Sequence, residues 1–207
     1  MKRTFLAAIG LALTTALALP AIADAAPAKP TLAQILLSDS KRDAANGFDA
    51  NPNDFDIVTQ AILLFPDLVQ AASNPGDYTV FLPTDYAFRS LVRSLTGQTV
   101  RKESDVFAAV ASLGLPTVKA VLTYHIIAGS RITYGQALKA DGAELTTLNG
   151  ATITVDVQGK FFKRIVLVDK EPALRDPKVV VANIMASNGI AHAIDRVLLP
   201  IAVVSAS

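Results

Sequence analysis

Hydrophobic positions change their spacing twice along this chain. Near its start lies a 15-residue uncharged stretch rich in Leu and Ala, Phe5 to Leu19. Through the middle, apolar residues recur three and four apart, the period of a helix face; in the last third they alternate with polar ones, the period of a half-buried strand. Thr31 is placed to cap a short helix over Leu32 to Leu37, and residues 38 to 53, rich in Asp, Asn and Gly, read as a loop. Asp54 stands as N-cap before Phe55, Val58, Ala61, Ile62 and Phe65. Pro66 ends that helix or opens a new turn, with Leu68, Val69 and Ala72 continuing the apolar face.

Asn74-Pro75-Gly76-Asp77 predicts a turn, Tyr78 to Leu82 a strand stopped by Pro83, and Thr84 the cap of a helix bearing Phe88, Leu91, Val92 and Leu95. After the polar segment Thr96 to Glu103, Ser104 is expected to cap a helix with Val106, Phe107, Val110 and Leu113, closed by Gly114. Pro116 starts the next, with Val118, Val121, Leu122 and His125 on its face. Strands are predicted over Glu144 to Leu148, Ala151 to Val157, Ile165 to Asp169, Val179 to Ala182 and Ile190 to Ile194. Asn149-Gly150 joins the first two as a hairpin, and Ser187-Asn188-Gly189 is a turn. Helices first, then mostly strands, predicts one α+β domain with helices packed on one side of an antiparallel assembly.

The opening run changes the picture of location. Lys2 and Arg3 precede it, Pro20 breaks it, and Ala21-Ile22-Ala23 supplies small residues at a cleavage spacing, the order of a secretory leader. At 15 residues it falls short of the roughly 20 that span a bilayer. Residues 1–23 are therefore read as a signal peptide cleaved near Ala23, with Ala25 as the alternative point. Residues 24–30 are read as a Pro/Ala linker, 31–203 as a single domain and 204–207 as a tail. The expected location is the periplasm or the medium.

Composition then excludes chemistry. The 207 residues include no Cys, which removes disulfide scaffolds, thiolate metal sites and thiol nucleophiles. The formal net charge of +1 belongs to the leader; without Lys2 and Arg3 the balance is negative by one, with no basic footprint for nucleic acid. There is no G-x-S-x-G elbow, no H-E-x-x-H and no Gly-rich phosphate loop. His125 and His192, the two histidines, sit in apolar sequence, where a hydrogen-bonded framework role is expected. Asp54, Asp56 and Asp85 are explained by helix capping and first-turn placement. Phe161-Phe162, between Lys160 and Lys163-Arg164, reads as hairpin with one ring in and one out.

Three segments in order resemble a fasciclin-type domain: residues 79 to 88, TVFLPTDYAF; residues 120 to 129, AVLTYHIIAG; and residues 180 to 200, VVANIMASNGIAHAIDRVLLP. The resemblance implies a β-wedge sandwich with a helical layer along one edge. It also implies an exported, non-catalytic adhesion or extracellular-interaction module with no cofactor and no bound metal. Its implied partner is a cell-surface or matrix protein or a polysaccharide. Nucleic acid is not expected, nor an integral membrane segment after leader removal, and a monomer is expected. In some animal members an Asp-Ile pair and the Tyr-His segment are implicated in integrin binding. The matching positions here are Asn183-Ile184 and Tyr124-His125, and Asn183 lacks the carboxylate. Tyr124, His125, Asn183 and Ile184 are interaction candidates, with Phe162 and Lys163 on a protruding hairpin; Thr84, Asp85 and His192 are structural. A second reading is a binder of a small apolar ligand held between helices and sheet. A third is a hydrolase or metal enzyme built on His125 or His192.

Overall fold

Two things decide the architecture: where helix-spaced residues stop, and which strands must be covered on both faces. A computed structural model describes residues 29–39 and 47–201. The expected leader, most of the linker and the tail lie outside the described residues. Helices α1 (Leu32–Asp39), α2 (Asp56–Leu63) and α3 (Pro66–Ser73) come first, then strand β1 (Tyr78–Pro83). Helices α4 (Asp85–Thr96), α5 (Glu103–Ala111) and α6 (Leu115–Tyr124) follow. The rest is β2 (Ile126–Ala128), the short α7 (Tyr134–Ala137), β3 (Glu144–Thr146), β4 (Thr152–Gln158), β5 (Arg164–Val168), β6 (Val179–Met185) and β7 (Gly189–Ile194). The class is α+β, as the spacing implies.

One sheet has the order β2-β1-β7-β6 and the other β3-β4-β5. The second is antiparallel throughout. The first is not: β1 and β7 run parallel from Tyr78 beside Gly189 to Pro83 beside Ile194. The expected antiparallel assembly is therefore corrected to a mixed one. The strand sequences carry the reason, because all six residues of β7 and five of the six of β1 are buried. A parallel pair needs cover on both faces.

Alternate side chains supply that cover. Val80, Leu82 and Ala191 point into a core shared with Ile57, Phe88, Val106 and Leu122 of the helices. Phe81 and Ile194 point the other way, into a core with Ile153, Val155, Ile165 and Leu167 of the second sheet. The Val166–Lys178 bridge ties the second sheet to the chain entering β6. Strand β2 and helix α7, of three and four residues, are each shorter than the window in which periodicity is legible in the sequence. Helix α7 exists by its capping box, Thr133 with Gln136.

The β6–β7 turn holds helices to strands. Asn188 is buried, and its Oδ1 accepts the Leu32 N–H at 2.9 Å. Its Nδ2 donates to the Ala72 and Asn74 carbonyls at 2.8 and 2.9 Å. Gly189 follows because a Cβ there would sit 2.7 Å from the Tyr78 carbonyl oxygen. One side chain thus ties α1 and the end of α3 to the sheet. Asn188→Ala is expected to cost about 2–4 kcal/mol, since it strands buried donors and acceptors. Asn188→Asp should lose nearly as much, having no N–H to give. Chemical denaturation checks both; a loss under about 0.5 kcal/mol would contradict the tether.

Candidate functional site

Tyr124 and His125 end α6 and enter β2, so the chain turns sharply just where it carries two polar rings. Tyr124 is fully buried and its hydroxyl donates to the Thr152 carbonyl at 2.8 Å, joining α6 to β4. Burial raises its phenol pKa. His125 Nε2 accepts the Leu198 N–H at 3.0 Å, so the proton sits on Nδ1, which donates to Val121 O at 2.7 Å. Burial lowers the pKa of His125 to about 4, so the ring is neutral. Both side chains face inward and offer a partner no surface; they hold the helix end to the sheets.

His192 repeats the logic on β7. Its Nδ1 accepts the Asn183 N–H at 3.3 Å, and Nε2 donates to Ile132 O at 2.9 Å. Burial lowers its pKa as well. With both ring nitrogens engaged, neither histidine has a lone pair to spare for a metal, and neither joins a trio of metal-ligating side chains among the described residues. Asn183 sits at the irregular register between Val181 and Ile184 with φ +59°, and its Oδ1 accepts the Tyr134 N–H at 2.9 Å. It is exposed, while Ile184 is half-buried against the helical core.

The sequence reading missed a cluster of acids where α2 and α4 meet N-terminus to N-terminus. The N-cap of α2 is Phe55, with no side-chain cap, so Asp54 is not its cap. Asp85 does that work from the first turn of α4: its Oδ1 accepts the Ile57 N–H at 2.9 Å. The Asp54 and Pro52 carbonyls in turn accept the Asp85 and Tyr86 N–H groups at 3.1 and 2.8 Å. Thr84 occupies the N-cap of α4 by backbone alone, without a side-chain bond. Asp49 N–H reaches Asp56 Oδ2 and Glu103 Oε2 at 2.9 and 3.0 Å, and Arg89 Nη2 pairs with Glu103 Oε1 at 2.6 Å.

Asp85 is completely buried, and its Oδ2 and Asp54 Oδ1 lack hydrogen-bond donors. Burial first, then the bond with Asp54, pushes the Asp85 pKa up to about 9; burial also raises Asp54. Burial lifts Glu103 to about 7 against the pull of Arg89. One proton held between Asp85 and Asp54 supplies the donor both oxygens lack. The trios Asp49–Asp54–Asp56 and Asp54–Asp85–Glu103 bring carboxylate oxygens within 4.8 Å, a spacing that would suit a hard cation. The shared proton and Arg89 already reduce the charge of the second trio. Local sequence rules could not find this cluster, because its members come from a loop and three helices.

The β4–β5 turn carries Phe162 and Lys163. Neither Phe packs inward: Phe161 is 86% and Phe162 94% exposed. The expectation of one ring in and one out fails because β4 ends at Gln158 and β5 resumes at Arg164, leaving both rings on the turn rather than on a pleat.

The fasciclin domain model matches residues 54–200. Protein sll1483 of Synechocystis is 33% identical over 65% of this chain and 61% of its own length. Immunogenic protein MPB70 of Mycobacterium bovis is 29% identical over 61% of this chain and 52% of its own. Human periostin is 27% identical over 68% of this chain and 14% of its own. The chain thus spans less than two thirds of the length of each of these relatives. In structure it is similar to a FAS1 domain pair from the insect cell adhesion molecule fasciclin I, with TM-score 0.60 and 17% identity over 83% of this chain and 51% of that one.

The carboxyl pair has a pH consequence. Unfolded, Asp85 ionises near 3.8; folded, near 9. Between these values the folded chain holds the extra proton, so stability falls as pH rises. His125, lowered from 6.5 to about 4, acts in the opposite sense only below its unfolded value. From about pH 7 to 9 the carboxyls therefore dominate, Glu103 adding in the same direction at the lower end. Denaturation free energy is expected to fall there by up to about 1.4 kcal/mol per pH unit. Asp85→Asn, whose amide donates to Asp54 at every pH, should flatten the decline. An equal slope in both proteins would reject the shared proton.

Proposed function

The chain belongs to the fasciclin domain family, and on that premise we propose that it is an exported, non-catalytic module for adhesion or extracellular interaction. The leader-like residues 1–23 support export to the periplasm or medium. The domain is taken as residues 31–203, since α1 packs into the same core as the matched segment. Absence of catalysis is supported by the engagement of both histidines in framework bonds. The similar insect structure comes from a cell adhesion molecule, which agrees with this reading.

The observation that carries the proposal is the outer strand β6. It lies at the edge of its sheet, and Val180, Val181 and Met185 are 53%, 52% and 43% exposed. An apolar edge strand offers both side-chain contact and backbone pairing to a partner. Asn183 and Ile184 lie in its middle, so the candidate pair falls within the exposed element. The partner class is a cell-surface or matrix protein or a polysaccharide, met by a monomer. Among the described residues no single helix is long and apolar enough to cross a membrane.

A second reading, a binder of a small apolar ligand, is favoured by one cavity. It has a volume of about 280 Å³ between α4, α5 and α6, lined by Phe88, Leu91, Leu95, Val118, Leu122 and Val197 among others. That is at the small end of ligand pockets. A mass increment in protein isolated natively would support it, and a clean apo mass would count against it.

Saturable capture of the purified protein by envelope proteins or polysaccharides checks the main reading. Val181→Lys, an exposed position, is expected to weaken capture about tenfold while leaving the melting temperature within about 2 °C. Failure of every such target to bind saturably would overturn it.

A further inference from the structure

The tip of the β4–β5 hairpin is of a different chemical kind from β6. Its sequence is Gly159-Lys160-Phe161-Phe162-Lys163-Arg164, all exposed. No acidic residue occurs from Val157 to Val168. The backbone is closed tightly: Gly159 has φ +97°, and a Cβ there would collide with the Phe162 carbonyl oxygen. Gln158 stands opposite Arg164, and the Tyr134 hydroxyl donates to Lys163 O at 3.4 Å. Lys160 Nζ lies 5.9 Å from the centre of the Phe161 ring. The turn is thus built from backbone, and its side chains are all directed away from the fold.

We propose that this tip is a peripheral membrane anchor that inserts Phe161 and Phe162 into the interface of an anionic lipid bilayer. The assignment rests on the export proposed above, which brings the protein to an envelope. Two adjacent rings left 86% and 94% exposed gain by leaving water, and nothing in the fold covers them. Lys160, Lys163 and Arg164 flank them, so rings entering at headgroup depth bring three cations against lipid phosphates. A long cationic side chain can keep its charge at that level while its stem follows the ring. The tip is convex. A protein partner would need a matching pocket, whereas lipid yields to a projecting pair of rings. Nucleic acid fits less well, because this turn gathers three of the chain's 19 Lys and Arg and the whole chain is near neutral. Attachment through one such tip is weak and reversible.

The experiment is flotation of the leader-cleaved chain with vesicles of phosphatidylcholine alone and of phosphatidylcholine with about 30% phosphatidylglycerol. Partitioning is expected to be about tenfold or more stronger on the anionic vesicles and to fall with salt. Phe161→Ser with Phe162→Ser should reduce it at least about tenfold, and Lys163→Glu should abolish most of the anionic preference. The melting temperature of each variant checks that the fold is kept, which the exposure of these positions leads one to expect. Equal, Phe-independent recovery with both vesicle types would overturn the proposal. So would absence of vesicle binding alongside Phe162-dependent capture by an envelope protein, or Phe162-dependent self-association. None of these results bears on capture through β6, which Val181→Lys reads separately.

Discussion

The fold depends on a parallel pair of strands, β1 and β7, from which water is excluded on both faces. Helices cover one face and the second sheet the other. In such a position every polar group must find its partner inside the protein. The polar residues around the pair answer that need. Thr79 Oγ1 donates to Ser130 O and accepts the Ile132 N–H, each at 2.8 Å. His192 joins β7 to Ile132 and to the irregular part of β6, while His125 joins the end of α6 to Leu198. Tyr124 reaches across to β4. The histidines and the tyrosine are scarce, reactive side chains spent on holding elements in register.

The same demand appears at the other end of the helices. Two helix N-termini face each other, each with unpaired N–H groups. Asp85 serves α2, and the carbonyls of Pro52 and Asp54 serve α4. The positive ends of both helix dipoles favour negative charge there. Burial opposes it, and the balance leaves a proton on the Asp85–Asp54 pair. Thr84 and Asp85 thus occupy a junction between helices, and the Thr84 side chain makes no cap bond of its own.

Tyr124, His125 and His192 are absorbed in the framework, while two apolar features are left at the surface. The edge of β6 and the β4–β5 tip differ in kind, one an apolar strand with open backbone, the other two bare rings among cations. The tip supports no part of the parallel pair, whereas β6 is paired along one side with β7 and presents its other side as the sheet edge.

Helix spacing made most of the helices legible, including the breaks at Pro66 and Gly114, and alternation made β4 legible from Thr152 to Val157. Those features depend on which face of one element meets water, and neighbouring residues record it. The Asn149-Gly150 turn and the α+β class were legible for the same reason. Other features were not. The parallel pairing of β1 with β7 joins residues more than a hundred apart, and nothing local encodes strand direction. Capping of α2 by Asp85 was hidden because Asp54 stands where a local cap belongs. The exposure of Phe161 and Phe162 turned on a strand ending at Gln158 instead of continuing. The sequence by itself determined most of the longer elements, the alternation of faces within them and the family resemblance. Only the tertiary structure decided which polar groups meet, because burial and partnership are properties of distant segments brought together.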